Sequence, residues 1–150
     1  MPIHSETRPV AYSAAQMYDL VADVAKYPEF LPWTAAARIR STTDAGDHTV
    51  MLADLVISFK VFRETFGSRV ILWPEAQKID TEYLDGPFKH MVSNWAFTDT
   101  AGGGSDIHFH VDFEFRSRIL QTTATLFFND AMQRVVRAFE RRADVLYGAR

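Results

Sequence analysis

Between Ile107 and Phe115 the chain alternates without a break: Ile107, Phe109, Val111, Phe113 and Phe115 on one side, His108, His110, Asp112 and Glu114 on the other. A period of two is what a strand with one buried and one solvated face requires, because successive side chains leave opposite sides of the pleat. Weaker alternation runs through Met51, Ala53, Leu55, Ile57 and Phe59, then Phe62, Phe66 and Val70, then Ile79, Thr81 and Tyr83, then Met91, Ser93, Trp95 and Phe97. With residues 3–10 and 36–42 this predicts about seven strands joined by short turns, hence an antiparallel sheet. Ala101-Gly102-Gly103-Gly104-Ser105 reads as one of those turns; no helix opening on Lys-Ser or Lys-Thr follows it, so it is not a phosphate loop.

Two stretches depart from this period. Ser13 is a natural N-cap for a helix in which Met17, Leu20 and Val21 share a face, and a second short helix is expected from about Val24 to Phe30, closed by the prolines of Tyr27-Pro28-Glu29-Phe30-Leu31-Pro32-Trp33. From Leu120 to about Tyr147 the period is helical. Leu120, Ala124, Phe127, Phe128, Ala131, Val135, Ala138, Phe139 and Arg142 fall on one stripe, Gln133, Arg134, Arg137 and Arg141 opposite, with Gly148 as the stop. Strand, two short helices, a run of strands and one long helix is an α+β order, and a helix-grip architecture is predicted: a curved sheet wrapped around the last helix. A strongly twisted sheet cannot lie flat on a straight helix, so the concave side leaves a gap for bulky side chains or for a ligand.

A chain of 150 residues affords one good core, and residues 1–150 are read as a single domain. Twelve phenylalanines and three tryptophans supply the filling. The absence of cysteine removes disulfides, thiolate metal sites and cysteine nucleophiles. No apolar run approaches the roughly 18–20 residues of a membrane span, and the start lacks the order of a signal peptide, so a cytoplasmic protein is expected, with contact at the inner face of the cytoplasmic membrane only in passing. Net charge is −3, but residues 116–150 carry seven arginines against three acids, a local basic surface.

Three ordered stretches carry a family resemblance. They are Tyr12-Ser13-Ala14-Ala15-Gln16-Met17-Tyr18-Asp19-Leu20-Val21 running on to Trp33, Leu84-Asp85-Gly86-Pro87-Phe88-Lys89 followed by Trp95-Ala96-Phe97, and Phe113-Glu114-Phe115-Arg116-Ser117 through Phe127-Phe128 to Ala138-Phe139-Glu140-Arg141-Arg142-Ala143. In these the chain resembles the coenzyme Q-binding START-like proteins of the polyketide cyclase/dehydrase and lipid-transport superfamily. Thr34 and Phe66-Gly67 depart from the family pattern, which has a cysteine after the tryptophan and Tyr-Thr at the second place.

The resemblance implies a non-enzymatic protein whose cavity holds ubiquinone or a related prenyl lipid, as a bound ligand rather than a redox cofactor, in support of respiration. Members of the same family labelled as ribosome association toxins imply a second reading, a partner on the ribosome, and the fold itself also hosts cyclase or hydratase enzymes. DNA is not an expected partner. The expected ligand wall takes Phe30, Leu31 and Trp33 from the segment after the short helices, and Phe59, Phe62, Glu64 and Phe66 from two successive strands. Phe88, Trp95, Phe109 and Phe113 come from the later strands, and Phe127, Phe128, Val135 and Phe139 from the long helix.

Glu64 shares the parity of Phe62 and Phe66. Turned inward it requires a partner, an arginine or a quinone oxygen through water; a bulge that rotates it outward is the alternative. His108 and His110 form an H-x-H pair with chelating geometry, yet they share the solvent face with Asp112 and Glu114 and have no third ligand at a clear spacing. No metal site and no catalytic residue is expected. Arg134, Arg137, Arg141 and Arg142 form a basic row, interrupted by Glu140 and Asp144, that suits anionic lipid or ribosomal RNA as well as plain solvent.

Overall fold

The computed structural model describes residues 3–59, 62–86 and 88–148, without the side chains of Phe59, Phe62 and residues 124–129. The order is β1 (Ile3–Val10), α1 (Ala14–Ala22), a 3-10 helix (Val24–Glu29), β2 (Thr34–Asp44), β3 (Thr49–Phe59), β4 (Phe62–Trp73), β5 (Lys78–Asp85), β6 (Phe88–Asp99), β7 (Ser105–Phe115) and α2 (Arg118–Tyr147). All seven strands form one antiparallel sheet in the order β1-β7-β6-β5-β4-β3-β2, so the chain crosses from one edge to the other through α1 and the 3-10 helix. This is the helix-grip arrangement, with the second short helix tighter than an α-helix and α2 starting two residues before Leu120. Ser117 sets that start, its Oγ accepting a hydrogen bond from Leu120 N (3.3 Å), and Gly148 at φ 83° ends the helix.

Strand direction sorts the connections into two ends. Ile3 pairs with Asp112 and Val10 with Ser105. One end therefore carries the β3–β4 and β5–β6 turns, the start of β2 and the first turn of α2. The other carries the β2–β3, β4–β5 and β6–β7 turns, α1, and the last turn of α2.

The second end is closed. Ser13 and Gln16 form a reciprocal capping box at the start of α1, and Asp99 Oδ1, from the last residue of β6, accepts from Ala14 N (2.8 Å). So anchored, α1 presses Met17, Leu20 and Val21 onto the concave face among Ile79, Trp95, Phe97 and Ile107, all buried. The end of α2 is tied to the same place: Tyr12 Oη donates to Gly148 O (2.7 Å) and contacts Asp144, and Tyr147 Oη donates to Gln16 O (2.9 Å).

Candidate functional site: the open end of the concave face

Cross-strand register decides which residues face α2. From β3 these are Met51, Ala53, Leu55 and Ile57; from β4, Glu64, Phe66, Ser68, Val70 and Leu72. β5 adds Ile79, Thr81 and Tyr83, β6 adds Met91, Ser93, Trp95 and Phe97, and β7 contributes the row from Ser105 to Phe113. Burial along this face is graded. Near α1, Val70, Ile79, Trp95, Phe97 and Ile107 are buried. Toward the other end Leu55, Ile57, Thr81, Tyr83, Ser93, Met91, Phe88 and Phe115 are only half-buried, although they lie on the inner side, whereas Phe66, Val111 and Phe113 remain buried there and Met51 and Leu72 nearer the closed end are half-buried. The backbone of α2 runs nearest α1, β7 and β1. Inner-face apolar surface therefore remains accessible over β3 to β6, and it opens at the end away from α1.

The predicted wall residues divide into two groups. Trp95, Phe109 and Phe139 stack with one another, Trp95 lying 4.2 Å from Phe109 and 5.2 Å from Phe139 between ring centroids, and Phe30 closes onto Phe139 at 5.3 Å. Trp95, Phe109 and Phe139 are buried in the core. The second group centres on Phe88, whose ring meets Phe66 at 5.5 Å, Phe113 at 5.9 Å and Phe115 at 4.7 Å, and lies at the opening. Leu31, Trp33 and Val135 are half-buried. Phe127, Phe128, Phe59 and Phe62 lie outside the described side chains.

Glu64 keeps the inner parity without being buried. The β3–β4 register runs unbroken from Thr49↔Leu72 to Phe59↔Phe62, so no bulge turns it away and it keeps the inner parity. It is nevertheless exposed, two residues before the buried Phe66 on the same face. Water solvates its charge, and no buried partner is required. The histidines are on the outer face as predicted but do not point freely to solvent. Both are half-buried, His108 Nδ1 bonded to Thr7 Oγ1 (3.0 Å) and His110 Nδ1 to Ser5 Oγ (2.5 Å), in an open groove of about 540 Å³ shared with Asp80, Asn94 and Ala96. Among the described residues no group of three or more potential metal ligands exists. Gln133, assigned to the outer side of α2, is half-buried and accepts from Arg8 Nη1 (3.4 Å).

Three features escaped the sequence reading. The inner face of β1 is polar: His4 Nε2 bonds Glu6 Oε1 (2.7 Å), and Arg8 pairs with Glu6 (3.6 Å) and with Glu140 of α2. Alternation of His4, Glu6 and Arg8 with Ser5, Thr7 and Pro9 was the available signal. Thr81 and Ser93, paired across β5 and β6, set small hydroxyls in the middle of the concave floor, and Tyr83 Oη, accepting from Phe88 N (3.2 Å), retains its own hydrogen for donation. Finally, Arg142 latches the segment after the 3-10 helix to α2: its guanidinium lies 5.2 Å from the Phe30 ring centroid and Nη2 donates to Glu29 Oε1 (3.2 Å). That hydrogen bond holds the Glu29 carboxyl below the usual carboxylate range. Burial, with the nearby Asp23 charge, pushes the Tyr27 hydroxyl far above its ordinary value, and it donates to Val21 O. Trp33, which follows, takes φ 62°, an unusual left-handed backbone for a bulky residue, and its carbonyl accepts from Ser58 N (2.8 Å).

Residues 10–140 match the family described as polyketide cyclase / dehydrase and lipid transport. The chain is 37% identical over 150 residues to the ribosome association toxin RatA of Escherichia coli K12, covering 100% of this chain and 92% of the relative. It is 32% identical over 149 residues to the mitochondrial coenzyme Q-binding protein COQ10 homolog B of Xenopus laevis, covering 97% of this chain but 59% of that longer protein. The solution structure of the 18 kDa protein CC1736 from Caulobacter crescentus superposes with a TM-score of 0.82 at 32% identity, covering 99% of this chain and 100% of the other.

Proposed function

The chain belongs to the polyketide cyclase/dehydrase and lipid transport family, and from this we propose that it binds a prenylated quinone, ubiquinone or a close relative, against the open end of its concave face without transforming it. The observation that carries the reading is the graded burial: apolar residues on the inner side of the sheet stay half-exposed where α1 no longer covers them. A tail laid there gains about 0.8 kcal/mol per buried methylene, so two or three isoprene units suffice for useful affinity while the remainder protrudes. Tyr83, Thr81 and Ser93 offer hydroxyls to the quinone oxygens, which apolar walls alone cannot satisfy. The similarity to COQ10 homolog B supports this ligand class. We assign no catalytic residue: the titratable string His4, Glu6, Arg8 and Glu140 is engaged in its own ion pairs where α2 meets β1.

The test is to purify the protein from cells that make ubiquinone, extract it with organic solvent and identify the lipid by mass spectrometry. Absence of any quinone or prenyl lipid, together with no uptake of an added short-chain quinone, rejects the proposal.

A second reading rests on the exposed row Arg134, Arg137 and Arg141 and on the full-length similarity to RatA: contact with a ribosomal subunit through α2. Co-sedimentation with isolated subunits at low salt tests it, and loss of binding on reversing those three charges is expected.

A further inference from the structure

The two ends of the sheet carry opposite charge. At the closed end the turns and strand ends present Asp44, Asp47, Glu75 and Asp99 alongside the exposed Lys78. Among the described residues the open end exposes the cations Arg63, Lys89, Arg116 and Arg118, in a chain whose net charge is −3. Of the acids nearby, Glu114 pairs with Lys89 (3.1 Å), whereas Arg40 is held by Asp54 and reaches Asp85 only at 3.7 Å. That leaves Arg63, Arg116 and Arg118 against Glu64 and Asp85. Arg116 Nε donates to the Phe88 carbonyl (3.0 Å), which holds it at the rim without cancelling its charge.

The same rim exposes apolar side chains. Ile119 is 80% exposed, next to Arg118 in the first turn of α2, and Leu84 is 38% exposed where β5 runs into the β5–β6 turn. A lone exposed isoleucine is ordinary. Here it stands among cations at the mouth of the apolar concave face, a combination that matches a bilayer with anionic headgroups over an apolar interior.

We infer that the open end, with Arg63, Arg116, Arg118, Leu84 and Ile119 at its centre, is a docking surface for an anionic membrane. The acidic turns at the other end orient the molecule mouth-first. The inference rests on the proposed lipid-binding reading, because it makes the membrane the source and sink of the bound lipid, but it fails separately from it.

Flotation of the full chain with vesicles of phosphatidylcholine, alone and mixed with phosphatidylglycerol, tests it. Binding to the mixed vesicles only, weakened by added salt, is expected. Removing a basic charge lowers partitioning about fivefold, so Arg118→Gln should lose about fivefold and Arg118→Glu about 25-fold. Ile119→Ser should lose roughly tenfold through its buried methylenes. Val145→Ser, at a site 76% exposed near the other end of α2, should float as wild type. No flotation at low salt, equal loss in the Val145 variant, or binding to ribosomal RNA in place of vesicles overturns the inference. Uptake of a water-soluble short-chain quinone, followed by tryptophan fluorescence without vesicles, separates the two ideas. A protein that takes up quinone and never floats refutes the docking surface alone, and one that floats and takes up none refutes the ligand reading alone.

Discussion

Ser93→Phe is the substitution whose sign reports on the concave space. Ser93 faces α2 from the middle of β6, between Thr81 of β5 and Val111 of β7, and is half-buried. A fully buried phenylalanine is worth about 1.5–3 kcal/mol relative to an exposed one. If the space over Ser93 is open, a ring folding onto Met91 and Thr81 captures part of that, and stability rises by about 1–2 kcal/mol. If protein already fills the space, the added atoms force neighbours off their rotamers and stability falls by about 1–3 kcal/mol. The two cases thus differ by roughly 2–5 kcal/mol and in direction. With a urea slope of about 1–3 kcal/mol per molar for a small domain, the gain moves the unfolding midpoint upward by about 0.3–2 M. The ring also takes the volume of about one isoprene unit, so quinone affinity should fall about tenfold or more. A lowered midpoint with undiminished quinone uptake would show that the ligand does not lie over Ser93, and the graded-burial argument would be wrong.

Other substitutions separate stability from binding. Met17→Ala, at a side chain with 0% exposure in the closed end, should cost about 2–5 kcal/mol and lower the melting temperature by roughly 5–15 °C while quinone uptake at low temperature persists; unchanged melting would contradict the packing of α1. Tyr83→Phe removes one donor and should weaken quinone binding about three- to tenfold, read by fluorescence titration, with equal affinity excluding Tyr83 from the head-group site. Glu29 has a lowered folded-state pKa, so the stability it lends is full above the ordinary carboxylate range near about 4 and disappears as pH falls through the lowered value. Glu29→Gln should therefore lower the urea midpoint at neutral pH and flatten its acid limb, so that the two proteins converge in acid; superimposable curves would remove the Arg142 latch from the account.

What the sequence made legible was each element's inner side. The alternation from Ile107 to Phe113 maps onto a strictly alternating burial of β7, and Val135 and Phe139 pack against the core as the helical stripe placed them. The ends of the elements were less legible. Whether Glu64 is buried depends on how the covering elements are arranged over the sheet, a long-range fact that no local period contains. The same holds for Trp95 and Phe109: wall and core use the same residue types. The polar string on β1 was missed for a different reason, since His4, Glu6 and Arg8 read as a solvated strand until Glu140 of α2 is brought against Arg8.

The partial exposure of inner-face residues at the open end has a cause in the backbone ladder. Strand register slips between Thr34 and Ala36, Ile39 and Ser41, Gly67 and Ser68, and Phe88 and His90. Three of these four irregularities lie toward the open end, with the extra residue on β2 (Ala35), β5 (Leu84) and β6 (Lys89). A bulge locally increases right-handed twist and bends its strand, so the sheet curls most where its ladder is broken most. Glycine permits it. A Cβ at Gly67 would lie 2.7 Å from Asp85 Oδ1, and one at Gly86, which has φ +135°, would lie 2.7 Å from the Phe66 Cβ. At the closed end the ladder is regular, the sheet stays close to α1, and large side chains meet across the gap. The opening therefore follows from where the strands bend, not from a shortage of bulky residues: Phe66, Phe88, Phe113 and Phe115 crowd the same end, yet they pack on each other along the sheet wall and leave the floor to Thr81 and Ser93.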